Sequence, residues 1–307
     1  MLNVAIIGIS GFGEVHYYDL MRQTKDGKIK IVAAMQAGAH SFIEKPAAAT
    51  IQEINAMQAC EKETAKCVYV GFQHIYQKVI QDAKQLILSR KLGKLLHVKA
   101  LCLWPRNYAC YNRNKWARCL KHDNDCVLDS PFNNATSHFL NIALFWSETE
   151  FSKSAEIINR HAELYKANDI QSPDTKAIHL QTASGSKILY YCTHASKKHF
   201  GPQFQAVCEE GTVHFSNQGV SVEYNNSVTE VINAVHDSTE IQSSPAEYCA
   251  SDTLNDSPIT KVIGIEDVFK KCFQSGKMPS GFDIKWANKT SPMQMKTYNK
   301  FKGDKIK

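Results

Sequence analysis

Apolar residues follow two rhythms along the chain. Up to about residue 93, short runs of aliphatic and β-branched residues alternate with longer segments whose apolar positions recur every three or four. LNVAII at 2–7 reads as a strand closed by the glycine-rich GISGFG, and EVHYYDLMRQT at 14–24 reads as a helix. KIKIVAA at 28–34 is a second strand, and SFI at 41–43 is a further extended run. A helix follows over 51–63, with Ile51, Ile54 and Met57 as a narrow apolar stripe. A strand at 67–72 leads to a helix over 76–90 that places Val79, Ile80, Ala83, Leu86 and Ile87 on one face. Strands alternating with helices at this spacing predict a largely parallel sheet covered by helices.

Beyond Gly93 the rhythm changes. LLHVKALCLW at 95–104 is a long strand, residues 105–131 form a polar, aromatic and cysteine-rich loop, and 134–146 reads as a helix with Phe139, Ile142, Ala143 and Trp146 as its stripe. Strands are expected at 155–165, at 176–182 joined through Ala183-Ser184-Gly185-Ser186 to 187–194, at 204–208 and at 212–215. Their turn-linked alternation predicts antiparallel pairing. A last helix over 262–274 ends at Ser275-Gly276. The fold class expected is α/β plus α+β: a truncated Rossmann-like domain at 1–93, a mostly antiparallel open-sheet α+β domain at 94–284, which is to carry substrate binding and oligomerisation, and a basic tail at 285–307.

The 307 residues suffice for two cores, and 43% hydrophobic with 21% charged residues describes a globular chain. The longest apolar runs fall far short of a membrane span, and the opening reads as strand and turn, not as an export leader. The net charge of +6 matters through its location. Residues 285–307 hold seven lysines against one acid, Asp304, which accounts for the whole excess. A duplex-binding protein is expected to carry its basic excess on a folded face, so nucleic acid is not expected as a partner. Ten cysteines without an export signal predict free thiols in a reducing, cytoplasmic setting. Cys110, Cys119 and Cys126, with His122, match no standard zinc spacing, so no metal site is expected.

A strand, a glycine turn and a helix together present backbone N–H groups and a helix N-terminus to a pyrophosphate. Here the turn comprises Gly8, Ser10, Gly11, Phe12 and Gly13, with Ser10 at the middle glycine position. The acid expected about 20 residues on, which holds the ribose, is missing from 33–36. The choice between NAD and NADP is therefore not legible.

The string AGAHSFIEKPAAAT at 37–50 resembles a segment of the Gfo/Idh/MocA family of NAD(P)-dependent oxidoreductases, through Ala37, Gly38, His40, Glu44, Lys45 and Pro46. VGFQHIY at 70–76, RKLGKLLHVKA at 90–100, RNKWA at 113–117 and a helix bearing His138 follow in the family's order. The resemblance implies that Glu44, Lys45 and Pro46 join the glycine turn around NAD or NADP. It also implies that Lys45 and His138 are catalytic, handling the proton of a reacting carbinol. It places Gln73, His74, Arg113, Lys115, Trp116, Asp129, Asn134 and Asn141 around a small polyhydroxylated substrate, and it allows copies to associate through the open sheet face into a homo-oligomer.

The chain departs from the family in two ways. At its helical D-x-x-x-H-x-x-D signature stand Asn134, His138 and Asn141, expected to share one helix face. Amides bond to hydroxyls but do not raise the basicity of an imidazole, a task left to Asp129. Gly13 and Glu44 are also only 31 residues apart, where members hold further strand–helix units, so the first domain reads as internally shortened. Parallel neighbours need a crossover of about a dozen residues. Residues 28–34 and 41–43 should then pair antiparallel or lie apart, in a small sheet with an exposed edge. The expected function is hydride transfer between NAD(P) and a sugar- or cyclitol-like alcohol. The second reading is a family relic that binds a sugar or a protein without cofactor.

Overall fold

The computed structural model describes residues 38–122, 125–216, 219–225, 228–234, 262 and 264–282. The glycine turn, the elements expected at 2–34 and the tail at 285–307 lie outside them. The chain divides into two compact units, with the break between Gly71 and Phe72.

In the first unit, β1 (Ser41–Ile43) and β2 (Val68–Val70) pair in parallel, Ser41 opposite Val68 and Ile43 opposite Val70. The crossover between them is α1 (Ile51–Thr64), which gives parallel strands the length of chain they require. Thr50 caps α1 reciprocally with Glu53, and the Thr50 hydroxyl holds the Glu53 carboxyl below its usual range. The stripe expected on α1 is only partly covered: Ile54 and Met57 are half-buried and Ile51 is exposed. The expected pairing of 28–34 with 41–43 falls outside the described residues.

The second unit is built on an eight-stranded sheet in the order β12-β11-β10-β9-β3-β8-β7-β6. Its strands are β3 (Leu95–Leu103), β6 (Ile157–Tyr165), β7 (Thr175–Thr182), β8 (Lys187–Thr193), β9 (Phe200–Cys208), β10 (Gly211–Ser216), β11 (Gly219–Tyr224) and β12 (Thr229–Ala234). All neighbours are antiparallel except β3 and β8, which run parallel from His97–Lys187 to Leu103–Thr193. The long excursion between β3 and β8 makes that one parallel pair accessible.

One sheet face is covered by α2 (Lys78–Leu88) and α4 (Ser137–Trp146). The stripe of α2 is buried at Val79, Ile80, Ala83 and Ile87, and that of α4 at Phe139, Ile142, Ala143 and Trp146. Trp146 joins the two helices by donating its indole N–H to the Ile80 carbonyl at 3.0 Å, and its ring meets Phe204 of the sheet. Because α2 packs here, the unit begins well before the change of rhythm at 93. The opposite face is covered by α5 (Ile265–Ser275), through Ile265, Phe269, Cys272 and Phe273 against Leu101, Leu189 and Tyr191. It stops at Gly276 in the left-handed region, as its Ser-Gly ending predicts.

Three features differ from expectation. The helix expected from 134 starts at Ser137, because residues 131–136 form turns in which the Thr136 N–H and hydroxyl both bond the Pro131 carbonyl. The segment 105–131 is not all loop. It holds α3 (Tyr108–Asn112), capped by Asn107, and a ladder of β4 (Lys121–His122) with β5 (Asp125–Cys126). The strands β11 and β12 extend the sheet beyond 215. Among the described residues no helix is long and apolar enough to cross a membrane.

Gly201 sits at φ +83°, at an irregularity in the β3–β9 pairing, and a Cβ there would lie 2.4 Å from the Leu101 carbonyl oxygen. Gly201→Ala should cost about 1–3 kcal/mol from the backbone conformation and the clash. A urea midpoint equal to that of the unsubstituted protein would contradict this account.

Candidate active site

In the first unit, Glu44-Lys45-Pro46 leaves the carboxyl end of β1 beside Gly71, which follows β2. The Gly71 N–H donates to the Ile43 carbonyl at 2.7 Å. Gly71 is buried, and a Cβ there would stand 2.9 Å from Glu44 Oε1, so the glycine admits the carboxylate. Glu44 Oε2 also accepts from the Lys45 N–H at 3.1 Å. In parallel sheets, ligands are taken beyond the carboxyl ends of strands. The other expected cofactor residues, Gly8, Ser10, Gly11, Phe12 and Gly13, lie outside the described residues.

In the second unit, a 3-10 turn over Gln73–Tyr76 brings His74 onto α4. The His74 and His138 rings meet edge to face with centroids 4.6 Å apart, and Phe72 meets His138 at 5.8 Å. His138 is buried, His74 half-buried and Gln73 exposed. Two residues marked by separate motifs are thus brought together. The start of α4 is fixed from the sheet below: Phe132 stacks on Tyr190 at 4.9 Å, and the Tyr190 hydroxyl donates to the Thr136 carbonyl at 3.0 Å.

The amide residues do not share one helix face as expected. His138 and Asn141 lie on α4, whereas Asn134 lies in the turn ahead of it, where its side-chain N–H donates to Asp129 Oδ1 at 3.2 Å. Asp129 Oδ2 accepts from the Arg118 N–H at 2.8 Å. Both carboxylate oxygens are therefore engaged in holding loop to turn. Arg113, Lys115 and Trp116 are exposed on the loop, with the Arg113 guanidinium 5.0 Å from the centre of the Trp116 ring. Cys119 bonds loop carbonyls through its thiol, and the Cys110 thiol accepts from Arg113.

Sequence reading passes over a polar cluster where β3 and β8 end and β7 begins. Arg106, Tyr111, Lys176 and His194 are all buried there. The His194 N–H donates to the Asp174 carbonyl, and the Arg106 N–H donates to the His194 carbonyl. Nδ1 of His194 lies 2.7 Å from the Trp104 carbonyl. Lys176 carries a legible signal. It stands in phase with Ile178 and Leu180, which face the core, so alternation turns it inward. Of the other strand histidines, His179 bonds the Tyr191 hydroxyl and His214 bonds Glu223, whereas the buried Nε2 of His97 has no hydrogen-bond partner among the described residues.

Two models of one family match the chain: the GFO/IDH/MocA C-terminal domain over residues 80–214, and the oxidoreductase family, NAD-binding Rossmann fold, over 24–72. Together they span more than half of the chain, and the protein belongs to the Gfo/Idh/MocA oxidoreductase family. A curated relative, 1-carboxy-3-chloro-3,4-dihydroxycyclohexa-1,5-diene dehydrogenase of Comamonas testosteroni, is 34% identical over 68 residues, which is 22% of this chain and 17% of that one. The WlbA dehydrogenase of Bordetella pertussis, solved with NADH and UDP-GlcNAcA, has 20% identity and a TM-score of 0.51 over 66% of this chain and 56% of its own. The inositol dehydrogenase homolog of Azotobacter vinelandii, solved with NADH and myo-inositol, has 15% identity and a TM-score of 0.54 over 71% and 60%. At these identities the structural likeness is one of fold. The chain matches less than two thirds of the length of each of these relatives.

Burial holds several histidines neutral. It lowers His179 to about 4, helped by His161 and Lys187 and opposed by Glu163. It lowers His194 far below the usual value, helped by Arg106, Lys176 and Arg113. The unfolded chain binds protons at these positions below about pH 6.5 while the folded chain refuses them, so stability falls as pH drops from 6.5 towards 4. Asp174, raised by its burial, opposes this at the acid end. The unfolding free energy measured across that window should fall for the unsubstituted protein and fall less steeply in His179→Gln. Parallel curves would contradict the assignment.

Proposed function

We propose that the chain is an NAD(P)-dependent oxidoreductase that transfers hydride from a sugar- or cyclitol-like alcohol. The observation that carries this reading is the exit of Glu44-Lys45-Pro46 from the carboxyl end of a parallel strand, beside a glycine without which the carboxylate would not fit. These residues fit a nicotinamide dinucleotide, which when bound accepts the carbinol hydride. Glu44, Lys45 and Pro46 are to line the cofactor, with the glycine turn by resemblance. The ring and hydroxyls named for the Comamonas relative, and the inositol named for the Azotobacter one, support a small polyhydroxylated ring as substrate.

Oxidation of a carbinol releases one hydride and one proton. Lys45 supplies positive charge for the developing alkoxide, and His138 accepts the proton. His74, stacked edgewise on His138, limits the rotation of its ring. The exposed Gln73, Arg113, Lys115 and Trp116 and the half-buried Asn134 and Asn141 offer donors and acceptors to hydroxyls, and Asp129 keeps Asn134 in place. The amides at 134 and 141, standing where the family pattern has acids, favour a second reading, a sugar-binding relic without redox chemistry.

Fluorescence titration of the purified chain with NADH and NADPH separates the two. Saturable binding in the micromolar range is expected, and no binding up to millimolar nucleotide would leave the relic. In the oxidoreductase, His138→Ala should lower kcat by about a hundred-fold or more with little change in nucleotide affinity. An unchanged kcat would remove His138 from the proton path.

A further inference from the structure

The buried cluster at the ends of β3, β8 and β7 holds two cations whose heads, among the described residues, bond to no carboxylate. Lys176 is 8% exposed and Arg106 is 4% exposed. Among the described residues the Lys176 ammonium has no hydrogen-bond acceptor; it lies 5.0 Å from the centre of the Phe132 ring, and Cys192 and Asp129 act on it without bonding it. The Arg106 guanidinium has one side-chain bond, 3.3 Å to the carbonyl of Pro105. The Tyr111 hydroxyl is buried with no hydrogen-bond partner among the described residues. Asp174, Arg106 and Asp129 act on Tyr111, and both Arg106 and Lys176 act on His194, so cations, acids and hydroxyl share one neighbourhood.

The two acids nearby are occupied. Asp174 accepts from the N–H groups of Ala167 and Asn168, from the Asn168 amide and from the Thr175 hydroxyl. Asp129 holds the Arg118 N–H and the Asn134 amide. A cation taken from water is costly unless an anion or several acceptors replace the hydration, and an unbonded buried hydroxyl adds to that cost. Burial lowers the Lys176 ammonium to about 8, with Cys192 and Asp129 opposing, which leaves most of it protonated at neutral pH.

We propose that Lys176, Arg106 and the Tyr111 hydroxyl form a subsite for an oxyanion, a carboxylate or a phosphate, carried by the ligand of the second unit. The proposal rests on the reading of that unit as a polyol site and narrows it: the polyol is an acidic one. Lys176 supplies the charge, Tyr111 donates a hydrogen bond, and Arg106 offers the planar donor pair that fits two oxygens. The Phe132 ring holds the ammonium until the anion displaces it. Because Phe132 also rests on Tyr190, which bonds the carbonyl just ahead of α4, the subsite adjoins the segment that carries His138.

Calorimetric titration of the full chain, without nucleotide, tests this with D-glucuronate, D-glucose and inorganic phosphate. Glucuronate should bind about ten-fold or more tightly than glucose, the effect of one charged hydrogen bond. Phosphate competing with glucuronate shows one subsite for both oxyanions, whereas phosphate binding without glucuronate binding identifies a phosphorylated polyol. Lys176→Met should abolish the discrimination and Lys176→Arg should retain it. Tyr111→Phe, which removes only an unbonded hydroxyl, should weaken glucuronate more than glucose. The proposal is overturned if neither oxyanion outbinds glucose in the unsubstituted protein, or if Lys176→Met discriminates as before. That failure leaves a neutral-polyol oxidoreductase standing, and a failed NADH titration leaves the oxyanion result untouched.

Discussion

The geometry of the second unit depends on one ring. Tyr190 is fully buried in the central sheet, donates its hydroxyl to the Thr136 carbonyl and stacks under Phe132. These two contacts fix where α4 begins, and with it the position of His138. From above, the turn over Gln73–Tyr76 sets His74 against the same imidazole. Burial holds the Tyr190 hydroxyl far from ionising, with Cys192 and Cys102 adding to the effect, so it stays a donor across the working pH range. A helix start secured from the sheet is a better support for proton chemistry than a loop, because the packed core below has no slack.

Around this support the unit divides its polar groups by task. Asp129 and Asp174 spend their oxygens on backbone N–H groups and amides, which holds the segments 118–134 and 167–175 in place. His179 and His194 are kept neutral by burial, each with a fixed partner. Lys84 is the structural counterpart of Lys176: fully buried and likewise lowered to about 8, it has an acceptor in the Lys153 carbonyl at 2.7 Å besides the Phe145 ring. Lys176 differs in that its ammonium lacks such an acceptor among the described residues.

Much of the second unit was legible in the sequence because its elements obey their periods. The stripes of α2 and α4 fall where spacing of three and four places them, and the β7–β8 hairpin turns at Ala183–Ser186 as its small residues demand. The motifs around His74 and His138 were legible too, though their meeting was not, since no periodicity reports a contact 64 residues apart in the chain. Helix α4 starts three residues later than apolar spacing predicts, because side-chain and backbone bonds to Pro131 hold 131–136 in turns that such spacing does not register. The strands β11 and β12 are not legible in the sequence. Val220 and Val222 alternate correctly, but they follow a run of polar residues that reads as a loop. Lys176 was visible as a lysine in phase with core residues, and reading the strand by face would have found it.

The dependence of His138 on the sheet below it is tested most directly by Tyr190→Phe, followed through the imidazole NMR signals. The substitution keeps the stacked ring and removes only the hydroxyl that holds Thr136. The account predicts that the signals of His138 and His74 shift together while the indole signal of Trp146, deeper in the same core, stays in place. Unmoved histidine signals in a folded Tyr190→Phe protein would show that the start of α4 is held by something other than that bond.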